Sequence, residues 1–335
     1  MPAVPPKAKY AARVAVTRAR GKVDPRERRI QATARRMGEE LSERPVDESP
    51  HVGPQELRDL GRRYRLGGME TVDGRVPLLW WTIAENYGDL LSPWLVRRMT
   101  GVPVVYAPPN TDNCVAVGSI VNHSRRDSTV WGSGLMGWET KWLIPKAKKY
   151  AAVRGPITRS VLRNLGYEVP RVYGDPALLA PVYYYPEVDK THEVGIVVRW
   201  SERQWQGMPV GDGVKLINLH SSDVEGVTRS IMSCERIVSS SLHGLVIADA
   251  YGIPNAWLNS DGGAGGSRPG GGEFKFYDYF ASVNKLRHAQ DFHASVGKEL
   301  TPDYLLDQFW FDDQLIDFDH EALLDACPFV ERAQS

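Results

Sequence analysis

Three serines and a histidine lie in one short turn between an apolar stretch and a helical pattern. Residues 236–238 predict a buried strand, and the helical pattern runs from Leu245 to Gly252, with Pro254 just beyond. His243 therefore stands where the helix begins, beside backbone N–H groups and the positive end of the helix dipole, which bind anions. A histidine can also donate a proton near neutral pH. The turn predicts that a phosphorylated substrate is held and protonated there; the alternative is that His243 only caps its helix.

Three more polar turns each follow a predicted apolar strand: residues 86–89, residues 132–134 and the turn at Arg154. In open α/β sheets, ligands bind beyond the carboxyl ends of the strands. Together with the His243 turn, these segments are expected to converge on one cleft from both sides. Two alternatives stay open, namely that Asp89 is the N-cap of a helix beginning at Leu90 and that Arg154 is a surface charge.

The elements that must position these turns form two successive series. In each, short apolar strands alternate with helical patterns, which predicts a mostly parallel sheet covered on both faces. The first series occupies residues 76–182 and the second residues 190–300, with a linker rich in Tyr and Pro around residues 181–190. The sequence therefore predicts an α/β fold of two Rossmann-like domains with an interdomain cleft.

Two segments, residues 1–75 and residues 301–335, lie outside these series. Residues 1–24 are rich in Pro, Lys, Arg and Ala, which is typical of disorder. A basic helix with a thin apolar stripe is predicted to follow, starting from an N-cap at Asp24. It either docks, rests on an anionic membrane surface or is solvated. The C-terminal segment is acidic, and pairing with the basic N-terminus is one interpretation of that contrast.

Composition excludes several classes of protein. The 335 residues contain 41 Lys and Arg and 41 Asp and Glu, so no overall field favours a nucleic-acid partner. The three cysteines are far apart, which predicts neither a zinc cluster nor a disulfide framework. No apolar run approaches the roughly 18 residues that span a bilayer, and the N-terminus lacks a signal-peptide core. We therefore expect a cytoplasmic protein without a metal site.

Between residues 80 and 283 the chain resembles the polysaccharide pyruvyl transferase family. The resemblance rests on six short motifs whose order is specific although each alone is weak: Asn86-Tyr-Gly-Asp89-Leu-Leu-Ser-Pro93, Gly132-Ser-Gly134, Val153-Arg154-Gly-Pro156-Ile-Thr158, Tyr173-Gly-Asp175-Pro176-Ala, Ser239-Ser-Ser-Leu-His243-Gly244 and Lys275-Phe-Tyr-Asp278-Tyr279. Such proteins transfer the pyruvyl unit of phosphoenolpyruvate onto a sugar, usually as a cyclic ketal. The resemblance implies a GT-B-like pair of Rossmann domains, with phosphoenolpyruvate as donor substrate and no cofactor.

With phosphoenolpyruvate as the donor, the chemistry of ketal formation indicates roles for residues of this site. His243 is expected to be the general acid and Asp89 the general base, with Glu85 as the alternative base. The donor's phosphate and carboxylate need cations and N–H donors. The remaining candidates either bind substrate or shape the loop next to it, and they are Asn86, Gly88, Arg154, Arg199, Ser239, Ser240, Ser241 and Gly244.

Two departures from the family pattern concern donor binding. Family members often have Arg directly before the Leu-His pair, where this chain has Ser241. They also often carry a Pro-His pair after the first strand of the second half, where this chain has Val198-Arg199-Trp200. We therefore expect Arg199 to supply the missing positive charge. The Asp175-Pro176 pair is predicted to form a turn.

Three functions remain open at this point. The first is a pyruvyl transferase acting on a cell-envelope or exopolysaccharide glycan, with a glycan or a lipid-linked sugar as acceptor, at the inner face of the membrane if the basic N-terminal region binds there. The second is a nucleotide-sugar glycosyltransferase on the same architecture. The third is a carbohydrate-binding protein without turnover, which the serine at position 241 would suit. The glycine-rich loop at residues 262–272 lacks the Gly-Lys-Ser/Thr of a P-loop and is predicted to be a lid or a linker.

Overall fold

A computed structural model describes residues 25–139, 141–202, 205, 207–259, 272–292 and 299–333. The segment predicted to be disordered, residues 1–24 with the proposed N-cap Asp24, lies outside the described residues, as does nearly all of the glycine-rich loop. Ten α-helices occur in the described part: α1 Pro25–Glu43, α2 Gln55–Arg62, α3 Tyr87–Thr100, α4 Pro156–Asn164, α5 Ala180–Tyr183, α6 Val224–Met232, α7 Leu242–Ala250, α8 Phe274–Ser282, α9 Pro302–Gln308 and α10 His320–Asp325.

Eleven strands in the described part form three sheets. The strands are β1 Tyr64–Leu66, β2 Val76–Leu79, β3 Val104–Tyr106, β4 Asn113–Val115, β5 Ser128–Trp131, β6 Lys149–Ala152, β7 His192–Val198, β8 Val214–Asn218, β9 Cys234–Ser239, β10 Asn255–Trp257 and β11 Val330–Arg332. The first large sheet has the order β3-β2-β4-β5-β6 and the second the order β10-β9-β7-β8, and every pairing within both is parallel. Strands β1 and β11 pair antiparallel.

The strand order reverses once in each large sheet. After β2 the chain passes first to β3 on one side and then to β4 on the other, and after β7 it passes to β8 and then to β9. Ligands in such sheets bind beyond the carboxyl ends of the strands at this reversal. The turns after β2, β7 and β9, which carry most of the predicted site residues, are therefore at the reversal points.

Both large sheets are covered on both faces, as the near-continuous apolar strands predict. All four residues of β2 and the last five of β7 are buried. One core cluster contains residues of both halves, including Leu78 and Trp94 from the first and Val197 and Leu245 from the second. Two further clusters cover the other faces of the two sheets. The described chain is thus a mixed α/β fold with parallel sheets, consistent with a Rossmann-like class.

Local structure departs from the sequence predictions in a few places. The stripe of α1 packs on the fold, since Ala34 and Leu41 are buried and the Ser42 hydroxyl accepts a hydrogen bond from the Val104 N–H at 3.2 Å. The interpretation of α1 as a solvated helix is therefore wrong. Next to the edge strand β6, the chain around residue 173 adds only a single parallel bridge, between Val153 and Tyr173.

The acidic C-terminal segment is folded against the first half. Glu321 accepts from Arg63 at 2.6 Å, and Trp131 packs edge-on against Phe329 with ring centroids 5.2 Å apart. The Trp131 indole also donates to the Leu323 carbonyl at 2.8 Å. No helix within the described ranges is long and apolar enough to cross a membrane.

Candidate active site

The serine turn is fixed by hydrogen bonds within the second sheet. The Ser239 hydroxyl accepts from the Ser241 N–H at 3.0 Å and lies 3.1 Å from the Val197 carbonyl, to which it can donate. Gly244, in the first turn of α7, has no room for a side chain because a Cβ there would overlap the Ser239 hydroxyl. Ser239 and Gly244 therefore bring the start of α7 tightly onto β9 and β7 and set the position of His243.

The turn after β2 is organised by Asn86. Its side chain caps α3 by accepting from the Gly88 N–H at 3.4 Å, and its amide donates to Asp89 Oδ2 at 2.6 Å. The helix thus begins at Tyr87, and the proposal that Asp89 is its N-cap is wrong. Asn86 takes that place because its side chain reaches the N–H groups of the first turn. Asp89 lies one turn further along, near the positive end of α3.

His243 lies between the two halves. Its Nδ1 faces Gly88, where a Cβ would overlap that nitrogen, so only glycine leaves this space. Its Nε2 lies 3.7 Å from Asp175 Oδ2, and the Asp175 side chain is fully buried. The prediction that residues 86–89 and the His243 turn meet in space is confirmed by the contact of Gly88 with His243.

Arg154 is fully buried, so the interpretation of this residue as a surface charge is wrong. Its Nε donates to Asp278 Oδ2 at 3.1 Å, its Nη2 donates to the Leu135 carbonyl at 2.7 Å, and its Nη1 donates to the Ser119 hydroxyl. Asp278 also accepts from the N–H and hydroxyl of Thr158, at 2.8 and 2.6 Å. A carboxylate on α8 thereby caps α4 and pairs with Arg154, which joins the two halves beneath the site.

Arg199 follows β7 and is held by Glu202. Its Nη2 donates to Glu202 Oε1 at 2.9 Å, and its backbone N–H donates to Glu202 Oε2 at 3.0 Å. Ser240 donates its hydroxyl to the same carboxylate oxygen. Ser240 and Arg199 are thus fixed to one buried carboxylate, with the guanidinium at the carboxyl end of β7.

Lys275, in the first turn of α8, adds a cation to this cluster. Burial, followed by the guanidiniums of Arg199 and then Arg154, lowers the pKa of the amine to about 7, although the carboxylates of Asp89 and Glu202 act in the opposite direction. Within the described residues no carboxylate lies within ion-pair distance of the amine. Such a group is readily charged by an incoming anion.

Asp89 is the counterpart of this lysine. Burial raises the pKa of its carboxyl to about 6, although the Asn86 hydrogen bond, His243 and Lys275 all favour the charged form. Glu85 lies apart from this group, since its Oε2 is 3.8 Å from His220 Nε2 and both side chains are partly exposed. The structure therefore brings Asp89, His243, Lys275 and Arg199 together, and it places Glu85 towards His220.

Several of these residues had no role in the sequence analysis. Lys275 and Asp278 stand in one of the six motifs, which was the available signal, but neither was given chemistry. Asp175 was predicted only to form a turn. Glu202 had no signal, because nothing in the sequence shows which arginine a loop carboxylate will hold. Within the described part of the chain, no cluster of three or more His, Cys, Asp or Glu side chains could hold a metal ion.

Comparison with known proteins bears on the same residues. A relative of unassigned function, protein L143 of Acanthamoeba polyphaga mimivirus, is 27% identical over 212 residues, 58% of this chain and 70% of the relative. The succinoglycan biosynthesis protein ExoV of Rhizobium meliloti is 28% identical over 190 residues, 53% of this chain and 57% of the relative. No solved structure matches the chain. The polysaccharide pyruvyl transferase family model matches residues 86–262, just over half of the chain, from Asn86 past the His243 turn. The chain therefore belongs to the polysaccharide pyruvyl transferase family.

Proposed function

We propose that the protein transfers the pyruvyl group of phosphoenolpyruvate onto two hydroxyls of a sugar in a cell-envelope or exopolysaccharide glycan. The family supports the reaction type, and the name of the relative ExoV supports an exopolysaccharide acceptor. The observation that carries the proposal is the meeting of an acid, a base and a cation from both halves of the chain. These are His243 after β9, Asp89 after β2 and Lys275 on α8.

The chemistry begins with a proton that His243 adds to the methylene carbon of the donor, which leaves an oxocarbenium-like centre at C2. Asp89 accepts the proton of the first sugar hydroxyl as that hydroxyl attacks C2. The phosphate then leaves, and the second hydroxyl closes the ketal and loses its proton. The two hydroxyls lose two protons in total. One makes up for the proton that the new methyl group gained, and the other leaves on the phosphate. A carboxylate with a pKa of about 6 is mostly ionised at neutral pH yet basic enough to take a proton.

The donor's negative charges are placed against Lys275 and Arg199. Arg154 lies behind them with each guanidinium nitrogen already donating to the protein. Arg199 and Lys275 together replace the arginine that the family pattern places at Ser241. We expect Arg199→Ala to raise KM for phosphoenolpyruvate by about 10-fold or more, the loss of one charge-assisted contact. An unchanged KM would remove Arg199 from the donor site.

The acceptor is placed at two indoles that flank the same reversal points. Trp81 follows β2 and Trp200 follows β7, and their ring centroids are 6.0 Å apart at an angle of 49°. Both rings are partly exposed. Flat apolar rings pack well on the C–H faces of sugars. We thus propose that the donor binds inside a GT-B-like cleft and that the sugar binds at its rim.

The test is to incubate the protein with phosphoenolpyruvate and simple hexopyranosides, measuring phosphate release and ketal product by mass spectrometry. His243→Ala should reduce turnover at least about 10²-fold, in the range of general acid catalysis, while the circular dichroism spectrum is unchanged. His288→Ala, at an exposed histidine, is the matched control. Thermal stabilisation by UDP or GDP but not by phosphoenolpyruvate would instead identify a nucleotide-sugar enzyme. Glycan binding without donor binding would identify a binding protein.

A further inference from the structure

Asp175 has one carboxylate oxygen that its turn uses and one that it does not. Oδ1 accepts from the Ala177 N–H at 3.0 Å and caps the short 3₁₀ helix Pro176–Leu179. Oδ2 is buried, and within the described residues it has no hydrogen-bond partner. The cap fixes the direction of the carboxylate, so the second oxygen is held where it points. A turn alone does not account for a fully buried carboxylate with an unused oxygen, because leaving such a group unpaired is costly.

The unused oxygen faces the equally unused nitrogen of His243. Asp175 Oδ2 and His243 Nε2 are 3.7 Å apart, and Nε2 is also buried without a hydrogen-bond partner among the described residues. Each atom would satisfy the other if Nε2 carried a proton. The separation is longer than a hydrogen bond, but such contacts in ligand-free sites often tighten only with substrate bound.

Among the charged groups described around His243, Asp175 is the one that is paired with Nε2. Asp89, on α3, interacts with the imidazole and is itself bonded to the Asn86 amide. Tyr279, on α8, lies within electrostatic range of Asp175, but its hydroxyl donates to Asp249 at 2.8 Å. The opposite ring nitrogen, Nδ1, faces the space left by Gly88. The ring therefore points Nε2 towards the buried Asp175 and Nδ1 towards the turn that carries Asp89.

We propose that Asp175 is a positioning residue that holds the Nε2 proton of His243, so that Nδ1 is the nitrogen that exchanges a proton with substrate. This inference rests on the proposed function only for the atom that receives the proton, which is the methylene carbon of phosphoenolpyruvate. The carboxylate fixes the ring tautomer and orientation and balances the charge of the imidazolium.

The first test is the tautomer of His243 itself, without substrate. In Asp175→Asn the amide oxygen keeps the Ala177 cap, so the NH₂ group faces Nε2 and donates to it. We expect ¹⁵N spectra of the neutral ring to show the proton on Nε2 in the wild type and on Nδ1 in the variant. His243→Gln identifies the His243 signals among the eight histidines. The same tautomer in both proteins would overturn the proposal.

The matched control is Asp319→Asn. Asp319 caps α10 by accepting from the Ala322 N–H at 2.9 Å, as Asp175 caps its own turn, but the histidine that its charge acts on is the neighbouring His320. We expect this variant to keep the wild-type spectrum of His243. A change of equal size in Asp319→Asn would mean that the effect comes from loss of a cap charge and would also overturn the proposal.

The second test is turnover with phosphoenolpyruvate and a hexopyranoside. We expect Asp175→Asn to lower kcat by at least about 10²-fold, within the loss seen when an amide reverses a catalytic tautomer, with KM for the donor changed less than about 3-fold. Wild-type kcat in this variant would overturn the positioning role. If the wild type itself formed no ketal, the proposed function would fail, and the tautomer measurement would still decide the role of Asp175.

Discussion

Lys275 is the residue whose environment most clearly indicates an anionic ligand. An amine taken out of water beside two guanidiniums loses part of its preference for the charged form, which is why its pKa lies near 7. The other two cations of the cluster already have carboxylate partners, Arg154 in Asp278 and Arg199 in Glu202. Of these three cations, Lys275 is therefore the one whose charged form an arriving phosphate or carboxylate would stabilise most.

This environment predicts proton uptake on donor binding. At pH 8 free Lys275 is mostly neutral, and an anion next to it raises its pKa, so the complex should take up close to one proton. At pH 6 the amine is already mostly charged and the uptake should be small. Titration calorimetry with phosphoenolpyruvate, repeated in buffers of different ionisation enthalpy, measures the number of protons directly.

Two variants show whether the proton uptake belongs to Lys275 or to another lysine. Lys275→Met should abolish the uptake at pH 8 and weaken donor binding. Lys190→Met is the control, because burial also lowers the pKa of Lys190, but its amine donates to the Cys234 carbonyl at the start of the second sheet. Uptake at pH 8 that survives in Lys275→Met would show that another group takes the proton.

At the scale of elements, apolar runs predicted most strands and helices of the two series. One helix start differs from its alternative prediction because a side chain next to the helix caps it. The helix after β2 begins at Tyr87 rather than Leu90 because the Asn86 side chain caps it. The start of α4 is capped from α8 by Asp278, a residue 120 positions away from Thr158. The sequence motifs that contain Thr158 and Asp278 do not show that these two residues contact each other, so this cap could not be predicted.

The Asp278 cap predicts a large loss of stability when its charge is removed. Asp278→Asn leaves the Arg154 guanidinium fully buried without a carboxylate, which we expect to cost about 3–5 kcal/mol of unfolding free energy. Urea unfolding followed by circular dichroism measures the difference. Glu40→Gln is the control, because its ion pair with Arg36 is exposed and should contribute about 1 kcal/mol or less. Equal losses in the two variants would contradict a special role for the Asp278 cap.

At the scale of the whole molecule, the sequence predicted that turns from both halves converge, and the contact of Gly88 with His243 shows it. The sequence did not predict which polar side chains of these turns hydrogen-bond within the protein. Ser239, Ser240 and Arg154 were candidates for substrate contact, yet their side chains bond to Val197, Glu202 and Asp278. Residue type identifies a polar turn, but only the fold decides which polar groups face the protein.

The tryptophan pair spans both halves and makes the acceptor side testable. If a pyranose ring packs on Trp81 and Trp200, replacing either by Ala should raise KM for a hexopyranoside about 2- to 10-fold, since aromatic contacts contribute roughly 0.5–1.5 kcal/mol. KM for phosphoenolpyruvate should stay within about 2-fold, because these rings do not carry the charges that an anion needs.

Because the two rings touch, the double variant should lose less than the sum of the two single losses. Trp310→Ala is the matched control, since Trp310 is 67% exposed and its backbone N–H and carbonyl, not its indole, hydrogen-bond to the Gln290 side chain. Strictly additive losses would mean that the rings bind independently. An acceptor KM that is unchanged in both single variants would place the sugar elsewhere, because a ring that loses a stacking partner cannot bind equally well at this rim.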